Sequence, residues 1–314
     1  MNELRVLFLG AGNRLSLIEQ FYRAGKDREI NLKIFAAESS TKVPIANAAQ
    51  ISVAPKFKTI EFKTWLLDFV KKNNIHIVIP NMDAATVDLA ELKLDLEAMN
   101  IYAVVSSEMI CKIMEDKILS DEWFKSNQIP TPNNDKYPII IKHKFGFGGK
   151  NQYVAKDESA RNEFLKDKSA SDYIMQNYVC GKEYTVDAYV DRSGGIVGLV
   201  PRQRLKIIDG EVNDSLTVRH TTIESITKKL LSLKVGWLGP ITIQYIDSPT
   251  EGCKIIEINP RFGGGATHSI HCGLDMPGWI IDEYIEKIPK PIIDWKVNSL
   301  MTRCRRDVFH EHTA

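Results

Sequence analysis

The sequence predicts an α/β architecture in two parts: a doubly wound parallel-sheet domain over residues 1–107, then an α+β region built on antiparallel hairpins. Three observations carry this. Strand-like apolar runs at 4–9, 32–37, 75–79 and 101–105 alternate with helical stretches in the first third of the chain. From about 108 the alternation stops, and Ile129-Pro-Thr-Pro132 cannot continue a helix. Further on, Pro240–Ile246 and Lys254–Asn259 are β-rich runs joined by the turn Asp247-Ser-Pro-Thr-Glu-Gly252, which makes them a hairpin.

In order, Leu4–Leu9 reads as a buried parallel strand, followed by Gly10-Ala-Gly12 and a helix near 14–24. A strand at 32–37, a helix at 61–72, a strand at 75–79, a helix at 84–99 and a strand at 101–105 complete the domain. Gly10 and Gly12 invite a dinucleotide site with Glu38 on the ribose, but the third glycine of that fingerprint would fall at Leu15. A tight strand-to-helix turn explains the pair equally well. Asn81-Met-Asp83 lies at the carboxyl end of a strand, where ligands of such sheets bind, although Asp83 could simply cap the next helix.

Beyond 108, helical stretches carrying Glu115-Asp116-Lys117 and Trp123-Phe124 lead to a strand, Pro138–Ile141, continued by Lys142. Gly146, Gly148 and Gly149 then make a loop before a returning strand at 152–155. Glycine amides and lysine charges suit polyphosphate, though the Walker spacing is absent and an ordinary hairpin tip fits as well. Asp157 caps a helix to Lys168, and strands follow at 173–179 and 183–190. Alternation sets Glu183, Thr185 and Asp187 on one face. A strand at 195–200 ends in Pro201-Arg-Gln-Arg-Leu-Lys206, a cluster for an anion or a solvated turn. A strand at 214–220, a helix at 222–235, the 240–259 hairpin and helices from Thr267 and at 277–287 lead to a tail, 289–314, without evident chemistry.

The richest stretch is Lys254-Ile-Ile-Glu-Ile-Asn-Pro-Arg-Phe-Gly-Gly-Gly265. Alternation puts Glu257 and Asn259 on one face, and the hairpin brings Gln244 beside them. Oxygen ligands for a hard cation, a guanidinium at Arg261 for an anion and glycines for close approach explain this set. The plainer alternative is a strand ending in a solvated Gly-rich turn.

Composition sets bounds on function. With 44% hydrophobic and 26% charged residues, the 314-residue chain is that of a globular protein of two or three domains. A net charge of +1 gives no electrostatic reason to expect nucleic acid or a membrane surface. Five scattered cysteines, no C-x-x-C and no apolar run of spanning length point to a reducing cytoplasm, without a signal peptide.

The order of these signals resembles the ATP-grasp superfamily, above all the ATP-grasp units of carbamoyl-phosphate synthase large subunits and related stand-alone carboxylate–amine ligases. The resemblance spans all but about the last 25 residues, with Gln244 and Glu257-Ile-Asn259-Pro-Arg261 as its most specific part. It implies a pre-ATP-grasp domain over 1–107, a small lobe or lid over 108–181 and a large lobe over 182–288, followed by the tail. Lys117 and Lys142 would contact the phosphates of ATP, and the Phe145–Lys150 loop would close over them. Gln176, Asn177, Tyr178 and Val179 would form the adenine hinge, chiefly through backbone groups, with Glu183 on the ribose hydroxyls. Gln244, Glu257 and Asn259 would hold Mg²⁺, with Mn²⁺ as an alternative. Arg261, assisted by Arg202 or Arg204, would steady the transferring phosphoryl group. His268 and His271 could touch substrate or merely occupy a helix turn.

Two departures from relatives stand out: an amide at Gln244, where an acid is common, and Phe145 and Phe147 in the lid. The implied activity is ligation of a small carboxylate to an amine through an acyl-phosphate, with a homodimer compatible. A nucleotide-binding sensor or subunit, and a nicotinamide-cofactor protein using Gly10 and Gly12, are the alternatives.

Overall fold

The computed structural model describes residues 3–146, 152–304 and 306–309. The first domain runs β1 (Leu4–Leu9), α1 (Leu15–Asp27), β2 (Leu32–Glu38), β3 (Gln50–Val53), α2 (Ile60–Lys72), β4 (Ile77–Pro80), α3 (Asp83–Glu91), α4 (Lys93–Ala98) and β5 (Tyr102–Ala103). Its five strands are all parallel, in the order β3-β2-β1-β4-β5. The central strands are buried on both faces, which accounts for their unbroken apolar runs. Thr59 caps α2 by accepting a hydrogen bond from the Phe62 amide at 3.2 Å.

Two features of this domain differ from expectation. β3, an edge strand of only four residues, carries too little pattern to be found in the sequence. The helix expected over 84–99 breaks at Leu92 into α3 and α4.

Next come α5 (Glu108–Glu115), α6 (Lys117–Ser126), β6 (Ile139–His143), β7 (Gln152–Ala155), α7 (Glu158–Leu165) and β8 (Tyr173–Asn177). The strands form a small antiparallel sheet, β7-β6-β8. Among the described residues its apolar cluster consists of Ile139, Ile141 and Ala155, Ile174 of β8 is also buried, and α7 buries none. A lobe with so little core can move as a unit at small cost.

The large lobe comprises β9 (Lys182–Val190), β10 (Ile196–Ile208), β11 (Glu211–Thr217), α8 (Thr221–Leu231), β12 (Gly239–Ser248), β13 (Gly252–Asn259), α9 (Ala266–His271), α10 (Met276–Tyr284) and β14 (Leu300–Thr302). Its antiparallel sheet has the order β13-β12-β9-β10-β11-β14. The expected β12–β13 hairpin is present. β10, expected to end near residue 200, continues to Ile208, so Arg202 and Arg204 lie within a strand. The tail does not simply trail away: β14 adds a strand beside β11. One continuous apolar core joins the first domain to this lobe, with Phe21 edge-on to both Phe8 and Phe262.

Candidate active site

The register of β12 and β13 places Gln244 directly opposite Glu257 and Thr242 opposite Asn259. Glu257 is half-buried and, among the described residues, forms neither a hydrogen bond nor an ion pair. Burial pushes its carboxyl above the usual range, even though Lys117, Arg261 and Lys142 are close enough to pull it down. A carboxylate left without a partner beneath three cations is suited to a metal that brings its own charge. The Asn259 amide oxygen lies beside it and receives only a long 3.3 Å hydrogen bond from Arg261 Nη2. Gln244 is committed elsewhere: its Oε1 accepts from Arg204 Nη1 at 3.0 Å. Glu257 and Asn259 therefore fit one hard cation, whereas Gln244 reaches a metal only by sharing its oxygen with a guanidinium.

Two lysines face this hairpin from the small lobe. Lys142, on β6, is 8% exposed, and burial lowers its pKa. Its Nζ lies 3.4 Å from Gln176 Oε1. Gln176 in turn donates to Asp121 at 2.8 Å, and Asp121 pairs with Lys125 at 2.6 Å. Lys117 begins α6, where Asp116 caps the helix, and its Nζ donates to the Gly146 carbonyl at 2.7 Å. Gly146 has φ +138° and open space around it. Phe147, Gly148, Gly149 and Lys150 lie outside the described residues.

In the expected hinge segment, Asn177 makes contacts of its own. Its side chain accepts from the amides of Asp135 and Lys136 and donates to Asp135, while its own amide donates to Asn133. The side chain and amide of Asn177 thus hold the 133–136 loop. The Tyr178 amide is likewise bonded to Pro138, whereas the buried Val179 has an amide with no partner among the described residues. Glu183 is partly exposed, 3.4 Å from Arg204.

The three arginines have different fates. Arg202, expected to assist at the phosphoryl group, is fully buried in an ion pair with Asp187 at 2.7 Å. It lies under the glycine run, where a Cβ at Gly265 would come within 2.7 Å of its Nη1. Arg204 serves Gln244, Glu183 and the Gly210 carbonyl. Arg261 makes a two-armed ion pair with Asp83, 2.6 Å from Nε and 2.9 Å from Nη2, across the domain boundary. Asp83 thus does not cap α3; Met82 is the N-cap, with no side-chain bond. Of the two histidines, His268 is buried against Ser215 at 2.8 Å and its pKa falls to about 4, chiefly through desolvation. His271 is exposed.

At the Gly10–Gly12 turn, Glu38 sits against the Ala11 and Gly12 amides, and a Cβ on Gly12 would lie 3.0 Å from its Oε2. A dinucleotide pyrophosphate would need those amides, so this geometry disfavours the nicotinamide reading.

Residues 114–265 match the family model described as an ATP-grasp domain, and residues 6–104 match the PylC-like, N-terminal domain. The chain carries an ATP-grasp domain behind a PylC-like N-terminal domain. The carbamoyl phosphate synthase large chain of Clostridium botulinum (strain Eklund 17B / Type B) is 25% identical over 269 residues, covering 75% of this chain and 23% of its own length. That of Clostridium perfringens (strain 13 / Type A) is 30% identical over 139 residues, covering 40% and 13%. The chain thus spans less than a quarter of the synthase chains it matches.

Among solved structures, an ADP complex of N5-carboxyaminoimidazole ribonucleotide synthetase superposes with TM-score 0.73 at 16% identity, covering 96% of this chain and 81% of that one. The biotin carboxylase domain of Hydrogenobacter thermophilus 2-oxoglutarate carboxylase, with MgADP and bicarbonate, gives 0.71 at 18%, covering 94% and 73%. At such identities these two share the fold with this chain.

Proposed function

We propose that this protein is an ATP- and Mg²⁺-dependent ligase that activates a small carboxylate as an acyl-phosphate for attack by an amine. The observation that carries the proposal is Glu257, a half-buried carboxylate with no protein partner among the described residues, set beside Asn259 and facing Lys117, Lys142 and Arg261. Lys142 and Lys117 bind the phosphate chain, and the small lobe closes over it to exclude water. Val179 offers its amide to the adenine, and Glu183 receives ribose hydroxyls. Glu257 and Asn259 would hold Mg²⁺, which when bound would supply neutralising charge for the phosphate chain.

The substrate carboxylate attacks the γ-phosphorus, the bond to the β-phosphate oxygen breaks and ADP departs. The amine then attacks the acyl carbon, phosphate leaves and the amine proton passes to solvent. Arg261, fixed by Asp83, stabilises charge on the transferring group. No helix among the described residues is long and apolar enough to cross a membrane. A cytoplasmic location and a homodimer belong to the same proposal.

The test is ADP release from Mg·ATP with pooled carboxylic acids and amines, followed by mass spectrometry of the product. Stimulation by one pool, lost in Glu257→Gln, is expected. Tight ATP binding without stimulation by any pool would instead favour a nucleotide sensor.

A further inference from the structure

Two polar side chains at the carboxyl edge of the parallel sheet carry buried polar atoms that the fold leaves unpartnered, although the Glu38 carboxylate also receives the Ala11 and Gly12 amides. Glu38, ending β2, has a buried Oε1 without a hydrogen-bond partner, and Asn81, just after β4, is 3% exposed with both amide atoms unpartnered. Leaving such groups unsatisfied costs about 1–3 kcal/mol each, so something outside the chain should meet them. Apart from Glu257, neighbouring carboxylates have arginines: Asp83 has Arg261, Glu211 has Arg303 and Arg14, and Asp187 has Arg202. Glu38 forms no ion pair among the described residues, and burial holds its carboxyl above the usual range. It is a negative group awaiting a positive one.

Position says what kind of molecule brings that charge. β2 and β4 flank β1, which leads into Gly10, so their axes stand roughly 10 Å apart across a turn that the Met82 side chain overlies at Gly10. A ligand laid across this turn, displacing the exposed Met82 side chain, would meet Glu38 at one end and Asn81 at the other. Two residues beyond Asn81, Asp83 holds Arg261 at the phosphoryl site. Resting on the ligase proposal above, we infer that the carboxylate substrate is an amino acid, its ammonium group seated on Glu38 and its carboxylate lying by Asn81 toward Arg261. An ammonium ion-paired in this way has no lone pair, so it is a recognition group and not the attacking amine.

The experiment compares free L-amino acids, β-alanine and γ-aminobutyrate with their N-acetylated counterparts. It measures ADP release from Mg·ATP and, without nucleotide, the thermal shift. At least one free amino acid should stimulate release and stabilise the protein. N-acetylation, Glu38→Gln or Asn81→Leu should each lower its kcat/KM about tenfold or more, with Mg·ATP affinity unchanged. Equal action of the N-acetylated compounds, full kcat/KM in Glu38→Gln, or stimulation only by acids lacking an amine would overturn the inference. Failure to bind Mg·ATP would instead overturn the ligase proposal, and the nucleotide-free thermal shift would still decide the amino-acid site.

Discussion

Asp83 and Arg261, 178 residues apart in the chain, are joined by a two-armed ion pair of 2.6 and 2.9 Å that ties the first turn of α3 to the strand end carrying Glu257 and Asn259. The guanidinium uses one edge on Asp83 and another on the Phe262 carbonyl at 3.0 Å, which leaves one Nη1 hydrogen for a ligand. Asp83 is thereby a positioning residue.

Asp83→Asn should preserve the fold and damage the chemistry. The pair is partly exposed, so the stability cost should be about 1–2 kcal/mol, below that of a fully buried pair. Turnover should fall about tenfold or more as the guanidinium loses its orientation. Urea denaturation and ADP-release rates measure the two, and equal turnover in the variant would remove Asp83 from this role.

Glu257→Gln should separate folding from function. Since burial raises the Glu257 pKa, the folded state favours its neutral form, and stability falls as pH rises from the ordinary carboxylate range through the raised folded value. The variant should be at least as stable as the wild type at neutral pH and flatter across that window. Metal-dependent ADP release should nonetheless drop about a hundredfold. Loss of stability at neutral pH would show that the carboxylate is structural.

His268 supplies an acid-side prediction. Its pKa of about 4 lies below the ordinary 6.5, so only the unfolded chain binds the proton between those values and stability is lost as pH falls through that window. The loss should be about 2–3 kcal/mol. His268→Gln should show a shallower fall of the urea midpoint between pH 7 and 4; an identical fall would place the sensitivity elsewhere.

The small lobe should open most readily. With a separate apolar cluster of just Ile139, Ile141 and Ala155 among the described residues, amides of β6 and β8 should exchange faster than those of β12 and β13, and Mg·ATP should slow them. Equal protection in both lobes without nucleotide would contradict a mobile lid.

Much of the fold and the heart of the site were legible in the residues themselves. The β12–β13 hairpin was readable because alternation and a turn containing Pro and Gly are local signals, whereas the irregularity after Gln244 that sets it opposite Glu257 was not. The partner of Gln244 was not, because it required β10 to run on past Pro201 and turn Arg204 toward β12. Asn177 looked like part of a hinge, yet its side chain is spent on the amides of a loop over forty residues earlier. The role of Asp83 depended on a contact between domains, and nothing local distinguishes it from a helix cap. β3 and β14 are short strands whose pairing comes from neighbours.

The most direct measurement is calorimetric titration of ATP, with and without Mg²⁺, into the wild type, Glu257→Gln and Lys142→Met. The wild type should bind with Mg²⁺-enhanced affinity, Glu257→Gln should lose the enhancement and Lys142→Met should bind about tenfold or more weakly in both conditions. ATP binding with the same affinity and the same Mg²⁺ dependence in all three proteins would contradict a phosphate and metal site at β6, β12 and β13.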